Sequence, residues 1–283
     1  MFGMFNKSSA EPVGPGPFGR FVLQERVASG GMADIWLATD SHNRPHALRL
    51  MLSHISGDRT ARKRFEHGCD VLASVQSHPA VIGYFEHGKI DGHLYCLMEY
   101  VDGANLKEVY AAHDPLLTQN VAQILIDMAE GLEHVHDSGY IHLDYKPENI
   151  IIARDGTQRL VDFDLAQPIV DAPLRLTKNP GTPAYMAPEQ LQGKPIDQRV
   201  DIFAFGVAAY ELLTNEKPFP GEDINEILAR QLDRSEFVPP RRLNPDLPPA
   251  LEKAVLKCIE TEPDRRYPFM SILVRDLKAA LYV

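Results

Sequence analysis

Residues 141–152 read IHLDYKPENIII, and a little further on an apolar run ends in RLVDFD. In the first stretch Asp144, Lys146 and Asn149 share one short polar loop. An Asp there can accept a proton, a Lys two residues on can neutralise a phosphoryl oxygen, and an Asn five residues on can bind a metal ion. Asp162, closing RLVD, supplies a second metal ligand. The set suits phosphoryl transfer, which asks for positioning and charge neutralisation more than for covalent help. A solvated loop and an unrelated strand end do not account for both groups in this order.

A second stretch, VASGGMADIWLA, sets Gly30 and Gly31 between two strand-like runs. A hairpin of this kind brings backbone N–H groups close to a phosphate, because nothing projects from its Cα atoms. Taken alone it fits an ordinary tight turn as well.

The elements that must position these groups fall into two parts. RFVLQERVA, ADIWLATD and PHALRLML read as strands separated by turn signals, and VIGYFEHG and HLYCLMEYV follow as two more around a turn at Asp91-Gly92. Between Arg59 and Val75, the residues Phe65, Cys69, Leu72 and Val75 recur at helical spacing. After Gly103 the pattern turns helical: 118–137 with Thr118 as N-cap and Gly139 as stop, an almost wholly apolar helix at 201–213, and others near 223–232, 247–260 and 268–281. A sheet-rich third followed by a helix-rich remainder is an α+β pattern with two unequal lobes.

Composition narrows the partners. The chain has 283 residues, 44% apolar and 24% charged, as in ordinary globular proteins. A formal charge of −10 argues against non-specific nucleic-acid binding and against attachment to an anionic membrane. Cys69, Cys96 and Cys258 are far apart and odd in number, so buried reduced thiols are expected rather than disulfides or a zinc site. Residues 1–17 read as a flexible leader without the apolar core of a signal peptide, and no run reaches membrane-spanning length. A cytoplasmic location is the expectation.

Taken together, the motifs resemble the catalytic domain of the protein kinases, most closely the bacterial Ser/Thr kinases of eukaryotic type. HLDYKPEN is similar to H-R-D-x-K-x-x-N, VDFD to D-F-G, and GTPAYMAPE to the end of an activation segment. DIFAFGVAAYELLT resembles the central helix of the large lobe, and EPDRRY carries the late Arg266 that pairs with Glu189 of A-P-E. The likeness runs from about Phe18 to the C-terminus. It implies a bilobal fold with an N-lobe at 18–98, a hinge at 99–103 and a C-lobe at 104–283.

The resemblance also implies a site for ATP with magnesium or manganese. Val27, Ile35 and Ala47 would roof the adenine and Ile151 would floor it, with Met98 at the gatekeeper position. Glu99 and Val101 would bond the base through their backbone, Asp102 would reach the ribose, and Gly30 and Gly31 would cover the phosphates. Asp144 becomes the base and Lys146 the phosphoryl stabiliser, while Asn149 and Asp162 become the metal ligands. Asp201 supports the catalytic-loop backbone. Thr177 and Thr182 stand in the activation segment as regulatory candidates. A protein substrate or partner is implied, and a homodimer is left open.

Several departures converge on that site. Arg49 stands where V-A-I-K would place the phosphate-binding lysine, and its planar fork bonds along different vectors from a compact ammonium. The helix Glu that should pair with the lysine is Gly68 or Cys69, and the neighbouring Asp70 points about 100° around the helix. Leu143 replaces the Arg of H-R-D, and Asp164 the Gly of D-F-G, adding negative charge beside the metal ligands. Two glycines of the Gly-rich loop are Ala28 and Ala33, with Asp34 placed to repel phosphate, and Arg26 on the first strand faces outward. The first expectation is therefore a pseudokinase, a scaffold or allosteric partner that binds ATP with magnesium but transfers phosphate weakly or not at all. The alternative is an active Ser/Thr protein kinase carrying Arg49 in place of the lysine. A small-molecule phosphotransferase fits less well, since GTPAYMAPE is the segment that cradles a protein substrate in kinases.

Overall fold

The computed structural model describes residues 13–176 and 180–281. The chain divides into two units, one taking the residues through Ser77 with Ile82–Val101, the other His78–Val81 with the chain from Asp102 on. The first is a sheet with one α-helix and the second is mainly helical, the α+β arrangement expected.

In the first unit the strands are β1 (Gly16–Phe18), β2 (Phe21–Ser29), β3 (Ala33–Thr39), β4 (Pro45–Met51), β5 (Tyr84–Ile90) and β6 (His93–Glu99). They form one sheet in the order β1-β2-β3-β4-β6-β5, antiparallel at every pairing. Successive side chains alternate between its faces. Trp36, Leu48, Leu50, Tyr95 and Leu97 close one face into an apolar core with Phe18, Phe21 and Leu23. The register Ile35↔Arg49 and Ala47↔Met98 puts those four residues together on the other face. Asp91 and Gly92 both have positive φ, 47° and 90°, as a tight primed hairpin turn requires. The strand expected from Val81 begins at Tyr84; Val81 instead bridges Leu160 in the second unit.

Helix α1 (Arg59–Ser74) is capped by Asp58, whose side chain accepts from the Thr60 and Ala61 amides. It buries Phe65, Gly68, Cys69, Val71 and Leu72, so the expected apolar stripe holds up to Val75, which ends the helix as its C-cap. Burying a Phe or Leu of this stripe stabilises the fold by about 1.5–3 kcal/mol each.

In the second unit a small sheet, β7 (Gly103–Asn105), β9 (Ile150–Ala153) and β10 (Gln158–Leu160), and the ribbon β8 (Tyr140–Ile141) with β11 (Gln167–Pro168) frame the polar loop. The helices are α2 (Leu106–Ala111), α3 (Pro115–Asp137), α4 (Pro188–Leu191), α5 (Arg199–Thr214), α6 (Ile224–Leu232), α7 (Pro240–Leu243), α8 (Pro249–Cys258) and α9 (Met270–Leu281). Thr118 is not the cap of α3. The helix starts at Pro115, whose fixed φ suits the first turn, with Asp114 accepting from the Leu116 amide; the Thr118 hydroxyl bonds back to Pro115 O. Val200 to Tyr210 of α5 are buried without a break, which makes α5 the central helix. Gly206 is required there, because a Cβ would lie 2.5 Å from Cys258 Cβ at the end of α8. All three cysteines are buried thiols outside any disulfide, and burial pushes the Cys258 thiol far above its ordinary pKa.

Candidate active site

The loop from His142 to Asn149 lies between β8 and β9, and α5 holds it from beneath. Asp201, fully buried on α5, accepts from the His142 amide at 2.7 Å and the Leu143 amide at 2.9 Å, and lies 2.9 Å from His136 Nε2. These bonds secure an unfavourable backbone: Leu143 has φ of 65°, which costs a non-glycine residue about 1–2 kcal/mol. The Tyr145 hydroxyl, donating to Met128 O at 3.0 Å, ties the loop to α3 as well. Burial, and next the Asp201 charge, raise the Tyr145 pKa well above the usual phenol value.

Within this frame the polar residues converge. Asp144 Oδ2 accepts from Lys146 Nζ at 2.7 Å and from Asn149 Nδ2 at 3.1 Å. Lys146 Nζ also donates to Thr182 Oγ1 at 3.0 Å, and Asn149 Nδ2 to Asp144 O at 2.7 Å. The other carboxylate oxygen, Asp144 Oδ1, is buried and has no hydrogen-bond partner among the described residues. Gly181 gives it room: φ is 123° there, and a Cβ would stand 3.3 Å from that oxygen.

Asp162 follows β10 with φ of 66°, a left-handed non-glycine position like Leu143. The Val161 amide donates to Asn149 O at 2.9 Å, so the two metal-ligand candidates are joined through one backbone bond. Asn149 spends its amide nitrogen on Asp144, which leaves Oδ1 as its ligand atom. A neutral amide oxygen and a carboxylate suit magnesium, which takes hard oxygen donors and completes its shell with phosphate and water. Phe163 is buried against the His142 ring, with centroids 5.1 Å apart. Asp164 is buried without positive φ, so this backbone does not need the glycine it replaces.

In the first unit, Ile35, Ala47, Arg49 and Met98 share one sheet face, while Val27 on β2 is 43% exposed. Gly30 N donates to Ala33 O at 2.9 Å, closing the turn that contains Gly31. Asp34 does not stand as a bare charge over that turn. Its carboxylate accepts from Ser29 Oγ at 2.6 Å and pairs with the exposed Arg26 at 3.4 Å. The Glu99 amide donates to Gly83 O at 2.7 Å within the first unit. Arg49 places its guanidinium carbon 4.8 Å from the centre of the Phe65 ring on α1. Gly68 and Cys69 are buried on the helix, whereas Asp70 is exposed, 3.3 Å from His87 Nε2.

Ile151 on β9 and Asp102 belong to the second unit, where Asp102 pairs with Arg154 at 2.8 Å. Thr177 lies outside the described residues. Further on, Arg266 grips Glu189 with two bonds of 2.6 and 2.8 Å, both groups buried. Among the contacts that escaped the sequence reading are His136 on Asp201, Phe65 under Arg49, and Lys107 of α2 on Glu148. For His136 the only signal was its place in the last turn of α3, just ahead of the loop it supports. Burial raises the Glu148 pKa, but the Lys107 ammonium more than offsets this, and the carboxyl titrates below its ordinary value.

The chain belongs to the protein kinase domain family, whose model matches residues 21–277. It is 33% identical over 266 residues to the serine/threonine-protein kinase PknB of Mycolicibacterium smegmatis, an alignment covering 91% of this chain and 42% of that protein. To the serine/threonine-protein kinase PrkC of Bacillus subtilis it is 30% identical over 264 residues, 93% of this chain and 40% of that one. The chain thus spans about two fifths of the length of these relatives.

Proposed function

We propose that this domain is an active Ser/Thr protein kinase that uses Arg49 where its relatives' family pattern has a lysine. One observation carries the reading: Asp144 has one oxygen held by Lys146 and Asn149 and the other, buried, without a hydrogen-bond partner among the described residues. An acceptor fixed in this way is prepared for the proton of an incoming hydroxyl. The hydroxyl oxygen of a protein Ser or Thr bonds to the γ-phosphorus of ATP as the bond to the β-phosphate oxygen breaks. Asp144 takes the hydroxyl proton, ADP leaves, and Lys146, between Asp144 and Thr182, offsets charge on the transferred group.

Asn149 Oδ1 and the Asp162 carboxylate would hold magnesium, which when bound neutralises charge on the phosphates. On the first unit, the face with Ile35, Ala47 and Met98 meets the adenine and Arg49 meets phosphate. The names of the relatives favour activity as well. The pseudokinase reading keeps one specific support, the pairing of Arg49 with a helix that offers Gly68 and Cys69 in place of a carboxylate.

The test is transfer of labelled γ-phosphate from ATP, with magnesium and then manganese, to the protein itself and to a generic basic protein. Label is expected, and it should vanish in Asp144→Asn. A folded wild-type protein that takes up and passes on no more label than Asp144→Asn would leave the scaffold reading in its place.

A further inference from the structure

The chain leaves the first unit after Ser77 and returns to it at Ile82, and the residues between, His78–Val81, belong to the second unit. They are clamped there. Ala80 O accepts from the Leu160 amide of β10 at 2.9 Å and from Gln158 Nε2 at 3.2 Å. Gln158 Nε2 also donates to Asp127 O of α3 at 2.8 Å. Gly131 of α3 permits the close approach, because a Cβ there would lie 2.9 Å from Ala80 O.

His78 closes the clamp with its ring. Its Nδ1 accepts from the Ala80 amide at 3.2 Å, so that nitrogen is unprotonated and the ring proton sits on Nε2. The ring stacks on His134 of α3, with centroids 4.6 Å apart and planes 16° from parallel. Both features favour a neutral His78. A proton on Nδ1 would face the Ala80 N–H instead of accepting from it, and a charge on each ring would set two cations face to face.

The charges around the pair are mixed. Glu130 and Asp127 of α3 draw a proton toward His78, while Lys278 of α9 pairs with Glu130 at 2.6 Å and Arg159 of β10 acts on Asp127. Burial, and next the His134 charge, outweigh the carboxylates and lower the His78 pKa from its ordinary value of 6.5. With the folded value lowered, the clamp is fully closed above about 6.5 and weakens as pH falls below it, because the released ring binds the proton more readily.

We propose that His78 and His134 form a proton-sensitive latch: neutral His78 holds residues 78–81 on α3 and β10, and a proton on its ring releases them. The strand freed with them, β10, ends at Leu160, two residues before Asp162. The latch stands on its own geometry and does not depend on the reaction proposed above.

The experiment is NMR on the isotopically labelled protein, following the His78 ring and the hydrogen-exchange protection of the Ala80 and Leu160 amides from about pH 7.5 to about pH 5. Corrected for the intrinsic pH dependence of exchange, protection at both amides should fall about threefold or more as the ring titrates, while Phe203 in α5 stays level. His78→Asn keeps an acceptor near the Nδ1 position and cannot titrate, so its protection at Ala80 and Leu160 should not change with pH. His134→Phe keeps a stacking ring without a charge and should move the release to higher pH.

A His78 ring that titrates with no change at Ala80 would overturn the latch. So would a ring still neutral at about pH 5, or a loss at Phe203 as large as that at Ala80, which would make the effect global. A His78→Asn protein that loses protection as the wild type does would place the titrating group elsewhere and overturn it too.

Discussion

Lys146 Nζ donates to Thr182 Oγ1 at 3.0 Å, linking the polar loop at 142–149 to the segment before α4 across 36 positions of sequence. The same ammonium is 2.7 Å from Asp144 Oδ2, so Thr182 shares the cation that aligns the proposed base. The threonine hydroxyl therefore acts on the placement of Lys146, not only on the local turn.

Thr182→Val keeps the shape and removes the acceptor. Turnover is expected to fall about ten- to a hundredfold, the scale of a misplacement near 1 Å, with the KM for ATP nearly unchanged. Thr182→Ser should restore most of it. Steady-state kinetics on the three proteins checks this, and an equal rise in KM would place the effect on nucleotide binding instead.

Leu143 takes the place of a cation that would greet a phosphorylated segment. It is buried and shares a small slot with Met186, Val200 and Ala204. Restoring the family residue should therefore fail. Leu143→Arg is expected to destabilise the fold by about 1–3 kcal/mol, through overpacking and a buried cation, as read from denaturant midpoints. Unchanged stability with a gain in rate on phosphorylation would show that the slot tolerates the charge.

The Lys107–Glu148 pair sets a pH window. The Glu148 pKa is lowered, burial opposing and Lys107 dominating, so its contribution is full above the ordinary glutamate value of about 4.3 and is lost as pH falls through the folded value. The Lys107 pKa is raised by the bond to Glu148, so the contribution persists below about 10.4 and is lost as pH rises through its folded value. Both side chains are partly exposed, so Lys107→Met should cost at most about 1 kcal/mol at pH 7. Unfolding curves of the two proteins should converge as pH falls through the lowered Glu148 value, and a constant gap would assign the cost to lost packing.

The arrangement of the polar loop was legible because Asp144, Lys146 and Asn149 bond to one another within six residues, so composition and spacing contain it. Asp201 was legible through family likeness alone, since its bonds reach back 58 and 59 positions. The Arg49–Phe65 contact was hidden for a different reason. It needs both the register of β4 and the facing side of α1, and neither follows from local pattern. The start of α3 was misread because Thr118 and Asp114 are both competent caps, and Pro115 decides between them. The Glu99–Gly83 bond was hidden because every residue but proline supplies the same backbone amide, which leaves no sequence signature.

The clamp between Glu189 and Arg266 joins groups 77 residues apart. During synthesis at about 5–20 residues per second, Glu189 emerges roughly 4–15 seconds before its cation exists. Through that interval a carboxylate destined for burial has no partner and stays hydrated, and the segment around it stays open. The segment closes only when the last stretch of the domain leaves the ribosome. A nascent chain stalled before residue 266 is accordingly a substrate for chaperones and proteases, whatever the state of its catalytic loop.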